Sequence, residues 1–124
     1  MSKVDMFQEL HHKIQESPEM VEQEAQKLLV RFIESKDLDK QFKCYLLFSN
    51  VYSHLGNYQM ARNVLKPAEK IAADQKDLQK LAKVSNHKGT IHWYQGNYPQ
   101  ALDEYVYLKQ LAEKLDDKKL LFNA

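Results

Sequence analysis

The chain has 124 residues, the length of one domain, and a compact fold of that size buries roughly two thirds of the surface its unfolded chain would expose. Eighteen Lys and Arg against 17 Asp and Glu leave a formal charge of +1, and no block of like charges offers a footprint for nucleic acid or an anionic lipid surface. The lone Cys44, inside "FKCYLLF", has no partner for an intramolecular disulfide and reads as an inert, partly buried thiol.

Three glycines and three prolines among abundant Leu, Ala, Lys, Glu and Gln, with no convincing alternation of period two, predict an all-α fold. A first helix is expected over residues 3–15; the opening "MSKVDMFQEL" has no apolar core of signal-peptide length, and no later run approaches a membrane span. A soluble, cytoplasmic protein is the expectation. Ser17 caps a second helix over 18–35, with Pro18 in its first turn and an apolar face of Val21, Ala25, Leu28, Leu29 and Phe32. Asp37 opens a third helix over 38–55 and Asn57 a fourth over 58–74, in which Pro67 is expected to kink or locally break the helix near Asn63. Asp77 opens a fifth over 78–95; Asn97 opens a sixth over 98–115, with Pro99 in its first turn. Asp117 and "KKLLFNA" then read as the start of a further helix.

The caps form two series. Ser17, Asn57 and Asn97 are forty residues apart, as are Asp37, Asp77 and Asp117, and the series interleave at twenty. The spelling repeats as well: "SHLGNYQMA" from Ser53 returns as "WYQGNYPQA" from Trp93. Gly56 and Gly96 are read as helix ends turned through a left-handed residue, Tyr58 and Tyr98 as packing across the corner, and Ala61 and Ala101 as letting two helices approach closely. The helices therefore pair as hairpins, in units 1–36, 37–76 and 77–116 of a single domain 1–124, with 117–124 left over as the start of a helix or a cap.

This pattern resembles the tetratricopeptide repeat family. In "NHKGTIHWYQGNYPQALDEY", Gly89, Gly96, Tyr98, Ala101 and Tyr105 fall at the family's characteristic places, with His92 for its usual aromatic; the preceding unit keeps Tyr52, Gly56, Tyr58 and Ala61 but has Ser49 for the first glycine. The first unit matches only in length, cap and apolar second helix. A forty-residue period exceeds the family's usual 34 and is similar to the extended repeats of bacterial Rap-type regulators and kinesin light chains. The resemblance implies a right-handed superhelix of antiparallel helical hairpins, a tetratricopeptide-like α-solenoid of three helix pairs plus a short C-terminal helical piece.

Catalysis finds no foothold. His11 and His12 diverge on a helix, His87 and His92 are five apart, and there is no Gly-rich phosphate loop, nucleophile elbow or HExxH. Neither an enzyme nor a metal or other cofactor is expected. The resemblance instead implies a protein-interaction module binding a peptide or partner helix in a concave groove lined by first helices. Those positions are Lys43, Leu46, Asn50, Ser53 and His54 in one unit, and Lys83, Asn86, Thr90, Trp93 and Tyr94 in the next. Chaperone-binding members clamp a terminal carboxylate there; Asn50 and Lys83 fall on two of the clamp's places and His87 stands for its Arg, while Leu46 replaces a Lys and Asn86 lies one position from the second Asn. Lys43 and Lys83 as plain solubilising residues, with Trp93 as half-buried packing, is the competing reading. The runner-up function is a regulatory peptide-sensing domain of a bacterial signalling protein; a third is a self-association segment.

Two irregularities stand out. Lys88 interrupts the stripe Leu81, Val84, Ile91, and its stem is expected to snorkel to water. The ending is too apolar for the polar cap that a solenoid ordinarily needs. Leu102, Leu108, Leu111 and Leu115 beside inward-facing Ala101, Tyr105 and Ala112 make a wide apolar face, which a homodimer built on residues 98–124 would cover with Leu120, Leu121 and Phe122.

Overall fold

The computed structural model describes residues 5–123, with side-chain surroundings for residues 5–116. Six helices follow one another: α1 (Met6–Lys13), α2 (Pro18–Glu34), α3 (Leu38–His54), α4 (Tyr58–Asp74), α5 (Leu78–Tyr94) and α6 (Tyr98–Asn123). The described residues contain no strand. The chain forms two compact units, Met1–Ala68 and Glu69–Ala124, and the boundary between them falls inside α4.

Four corners explain why the helices stop where they do. In each, a left-handed residue sits just past the helix end: Lys36 at φ 58°, Gly56 at 76°, Lys76 at 52° and Gly96 at 77°. Two backbone bonds close each turn in the Schellman pattern, where the N–H of the left-handed residue and of the next residue return to the last helical carbonyls. Gly56 N–H donates to Ser53 O and Asn57 N–H to Tyr52 O, at 3.1 and 2.8 Å. Gly96 to Trp93, Asn97 to His92, Lys36 to Ile33, Asp37 to Phe32, Lys76 to Ala73 and Asp77 to Ala72 repeat the pair at 2.8–3.1 Å. The expected glycine corners are confirmed, and the sequence pattern missed that the intervening corners are the same motif built with lysine.

The residue after each corner starts the next helix. Asp37 and Asp77 accept the Lys40 and Lys80 N–H at 3.1 Å, and Asn57 accepts that of Met60 at 3.3 Å. Ser17 departs from this series, because it stands at the N-cap position but its side chain makes no cap bond. The first corner is also different in kind, with Glu16 and Ser17 N–H both returning to Lys13 O. Accordingly α1 is shorter than expected: Asp5 caps it through Phe7 N–H at 2.9 Å and it ends at Lys13.

Two further expectations are corrected. Of the kink or local break expected at Pro67, the break does not occur: α4 runs through it to Asp74. The ring removes one i to i−4 bond near Asn63, but Leu65, Ala68, Ile71 and Ala72 are buried on either side of it, and tertiary packing outweighs that loss. No new helix starts after Asp117, because α6 continues unbroken to Asn123. No Gly or Pro interrupts residues 113–120, so nothing local stops the helix there.

In the first unit, Leu10, Ile14, Val21, Ala25, Leu28, Cys44, Leu47, Phe48 and Val51 form one buried cluster. Burial pushes the Cys44 thiol up to about 12, so it stays protonated and inert, as expected. In the second unit α5 packs on α6 with Val84, Gly89, Ile91, Ala101 and Leu111 buried. Gly89 is required by contact: a Cβ there would lie 2.6 Å from the Tyr105 ring. Its counterpart Ser49 is fully buried with no hydrogen-bond partner for Oγ among the described residues.

The corner residues should respond in opposite senses. Lys36→Gly and Lys76→Gly each relieve a left-handed L-residue and should stabilise by up to about 1 kcal/mol, while Gly96→Val should destabilise by about 1–3 kcal/mol. Urea titration followed by circular dichroism measures both; Gly96→Val with the parent's midpoint would contradict the assignment.

Candidate functional site

On α3, Lys43 is exposed and Leu46 half-buried, and both face α1. The Lys43 ammonium lies 5.7 Å from the centre of the Phe7 ring, and a shallow cavity of about 150 Å³ is lined by Phe7, Gln8, His11, Lys43, Leu46 and Leu47. One turn on, the half-buried Asn50 meets His11 Nε2 at 2.9 Å. Three of the five residues expected to line an open surface on α3 are thus engaged by α1. Ser53 is half-buried and His54 exposed beyond its reach.

The row on α5 is more open. Lys83 and Asn86 are exposed, Thr90 Oγ1 donates to Asn86 O at 2.9 Å, and His87 is half-buried with an interaction of its own. Trp93 and Tyr94 are 56% and 63% exposed, which is unusual for side chains of that size. Trp93 meets Tyr98 edge to face across the corner at 4.9 Å, the contact expected of the second tyrosine of the repeat. Trp93 is thus both exposed and packed on Tyr98, and the competing reading of it as half-buried packing stands beside that of a groove residue.

The face expected to pair with another copy divides. Leu111 is buried within the chain, whereas Leu102 and Val106 are 62% and 48% exposed; Leu108 and Leu115 are half-buried. Ala101 is buried and Tyr105 half-buried, but Ala112 is exposed, contrary to its expected inward position. The helix is turned so that Leu111 takes the inner place. Leu120, Leu121 and Phe122 lie outside the residues whose side chains are described.

Chemistry is sparse elsewhere. Among the described residues, no three His, Cys, Asp or Glu side chains stand where they could share a metal ion, and no described helix is long and apolar enough to cross a membrane. Lys88 neither dangles nor pairs with solvent alone: its ammonium bonds Glu69. Comparison with known families, curated proteins and solved structures gives no match.

His11 supplies a pH dependence. Burial, and then the neighbouring His12 charge, lower its affinity for a proton below the ordinary value of 6.5. With the Asn50 amide donating, Nε2 must be bare, so protonation opposes the contact. A group whose folded value is lowered binds more protons unfolded, and stability therefore falls as pH drops through about 6.5 and below. Imidazole titration by NMR should place His11 below 6.5, and amide exchange in α1 should quicken as the pH falls through that range. A His11 midpoint at or above 6.5 would refute the assignment.

Proposed function

We propose that the chain is a tetratricopeptide-like α-solenoid with a right-handed superhelix, acting as a non-catalytic protein-interaction module. Its ligand is a peptide or partner helix laid along a first helix, α5. What supports this most directly is the pair Trp93 and Tyr94, left largely in water at the end of α5 beside the exposed Lys83 and Asn86. Large rigid aromatics pay little entropy on contact and dominate binding surfaces, and ammonium and amide groups meet carboxylates and peptide backbone. The hydrogen bond between Asn50 and His11 counts against a carboxylate clamp that uses Asn50, so the open row on α5 carries the reading. Peptides selected from a random display library should quench or shift Trp93 fluorescence. Trp93→Ala combined with Lys83→Ala should weaken them at least about tenfold; selected peptides that bind this variant as tightly as the parent would sink the proposal. A shift in small-angle scattering on binding would favour the peptide-sensing regulator over the passive scaffold.

A second reading, self-association as a homodimer through α6, is favoured by the exposure of Leu102 and Val106. These residues lie one turn apart on one face, with Tyr98 a turn before them, and such a stripe is rarely left uncovered. Sedimentation equilibrium at tens of micromolar should show a dimer mass that Leu102→Asp with Val106→Asp reduces to monomer. A parent that is already monomeric removes this reading and leaves the first standing.

A further inference from the structure

The repeat allows one position to be compared with its own counterpart in the same molecule. In the first unit, Leu29, Tyr45, Phe48 and Val64 belong to or pack against the apolar core. Forty residues on, the same places hold Glu69, Ser85, Lys88 and Glu104. The result in the second unit is a cavity of about 200 Å³ lined by these four, by Tyr107 and by apolar side chains of α5. An apolar plug has become a polar hole.

Stability does not explain the exchange. Lys88 bonds Glu69, but the two side chains are 28% and 45% exposed, and ion pairs in that setting contribute little, whereas the apolar counterpart contributes burial. Nor does the pair neutralise the site. Two carboxylates face one ammonium, and Glu104 has no ion-pair partner among the described residues. The cavity carries one net negative charge beside an aromatic ring.

We propose that this cavity is a binding site for an alkylguanidinium, either as a free small molecule or as the arginine side chain of a peptide. The planar fork offers two parallel N–H donors to Glu104, is weakly hydrated and so leaves water readily, and stacks on aromatic faces such as Tyr107. The Glu69 oxygens not used by Lys88 accept from its remaining edge. Size agrees as well, because a cavity of about 150 Å³ is known to hold a benzene ring, so this one suits a guest of side-chain dimensions and is below the usual range for larger ligands. Neither the α5 row nor any self-association is needed for it.

The test is a titration of the folded chain with n-propylguanidinium, followed by amide NMR, alongside a capped Gly-Arg-Gly peptide and neutral n-propylurea. Saturable shifts confined to residues 81–88 and 104–107 are expected with n-propylguanidinium, with a dissociation constant on the order of 1 mM for so few atoms. Binding of the peptide tighter than the free probe assigns the site to a protein ligand; binding of the free probe alone assigns it to a small molecule. Glu104→Gln should weaken either guest by about fivefold or more, its own spectrum reporting that it is folded. Lys88→Phe with Glu69→Leu, which restores the first unit's residues, should melt higher and lose the site. No saturable shift with a folded spectrum, equal binding of n-propylurea, or unchanged affinity in Glu104→Gln would each overturn the proposal.

Discussion

Everything in this molecule is counted from a single backbone event, the left-handed residue that ends a helix. It recurs every twenty residues, at Lys36, Gly56, Lys76 and Gly96, and each time its own N–H and that of the next residue return to the helix they have just left. That closure satisfies carbonyls that would otherwise be orphaned and launches the next helix at a fixed angle, with Asp or Asn ready to cap it. Because α2 and the three helices between the corners are each 17 residues long, side chains at equivalent numbers fall on equivalent faces. The close contact of Gly89 with Tyr105 and the burial of Ala61 and Ala101 follow from that register.

Much of this was legible in the residues, and the reason is that glycine is rare here. Two of three glycines mark two corners, so the signal stands clear of the background, and Asp37 and Asp77 supply the intervening beats. What could not be read were features decided by packing rather than by local chemistry. Lysine is a poor left-handed residue, and nothing local distinguishes Lys36 from any other lysine. Pro67 is a breaker by propensity and is overridden by the buried face around it. Asp117 has the right spacing for a cap, but spacing means little where no Gly or Pro ends the preceding helix.

The functional surface was less legible for a related reason. Register placed Lys43, Leu46 and Asn50 on one face of α3 correctly, yet could not say that the shortest helix, α1, would lie against them. The first unit matches the repeat least well, and its α1 contacts are held by a small set of side chains, among them Phe7, Leu10 and His11. On α5 the corresponding row remains open, so two halves of one pattern have come to differ in availability. Lys88 was visible as an interruption, while its partner Glu69 and the nearby Glu104 sit on other helices and looked like ordinary solvated carboxylates.

The uniform spacing of the corners also bears on how such a chain can change over time. Each added residue turns a helix by about 100°, so a one-residue insertion in the middle of α5 would carry Gly89 off Tyr105 or Trp93 off Tyr98, whichever lay beyond it. A whole helix pair can be gained or lost without that penalty, since its forty residues begin and end on the same phase. Lengthening by duplication is therefore the cheap route, and single-residue gaps should be tolerated chiefly in the first turn, around Ile14 to Ser17, where no left-handed corner sets the count.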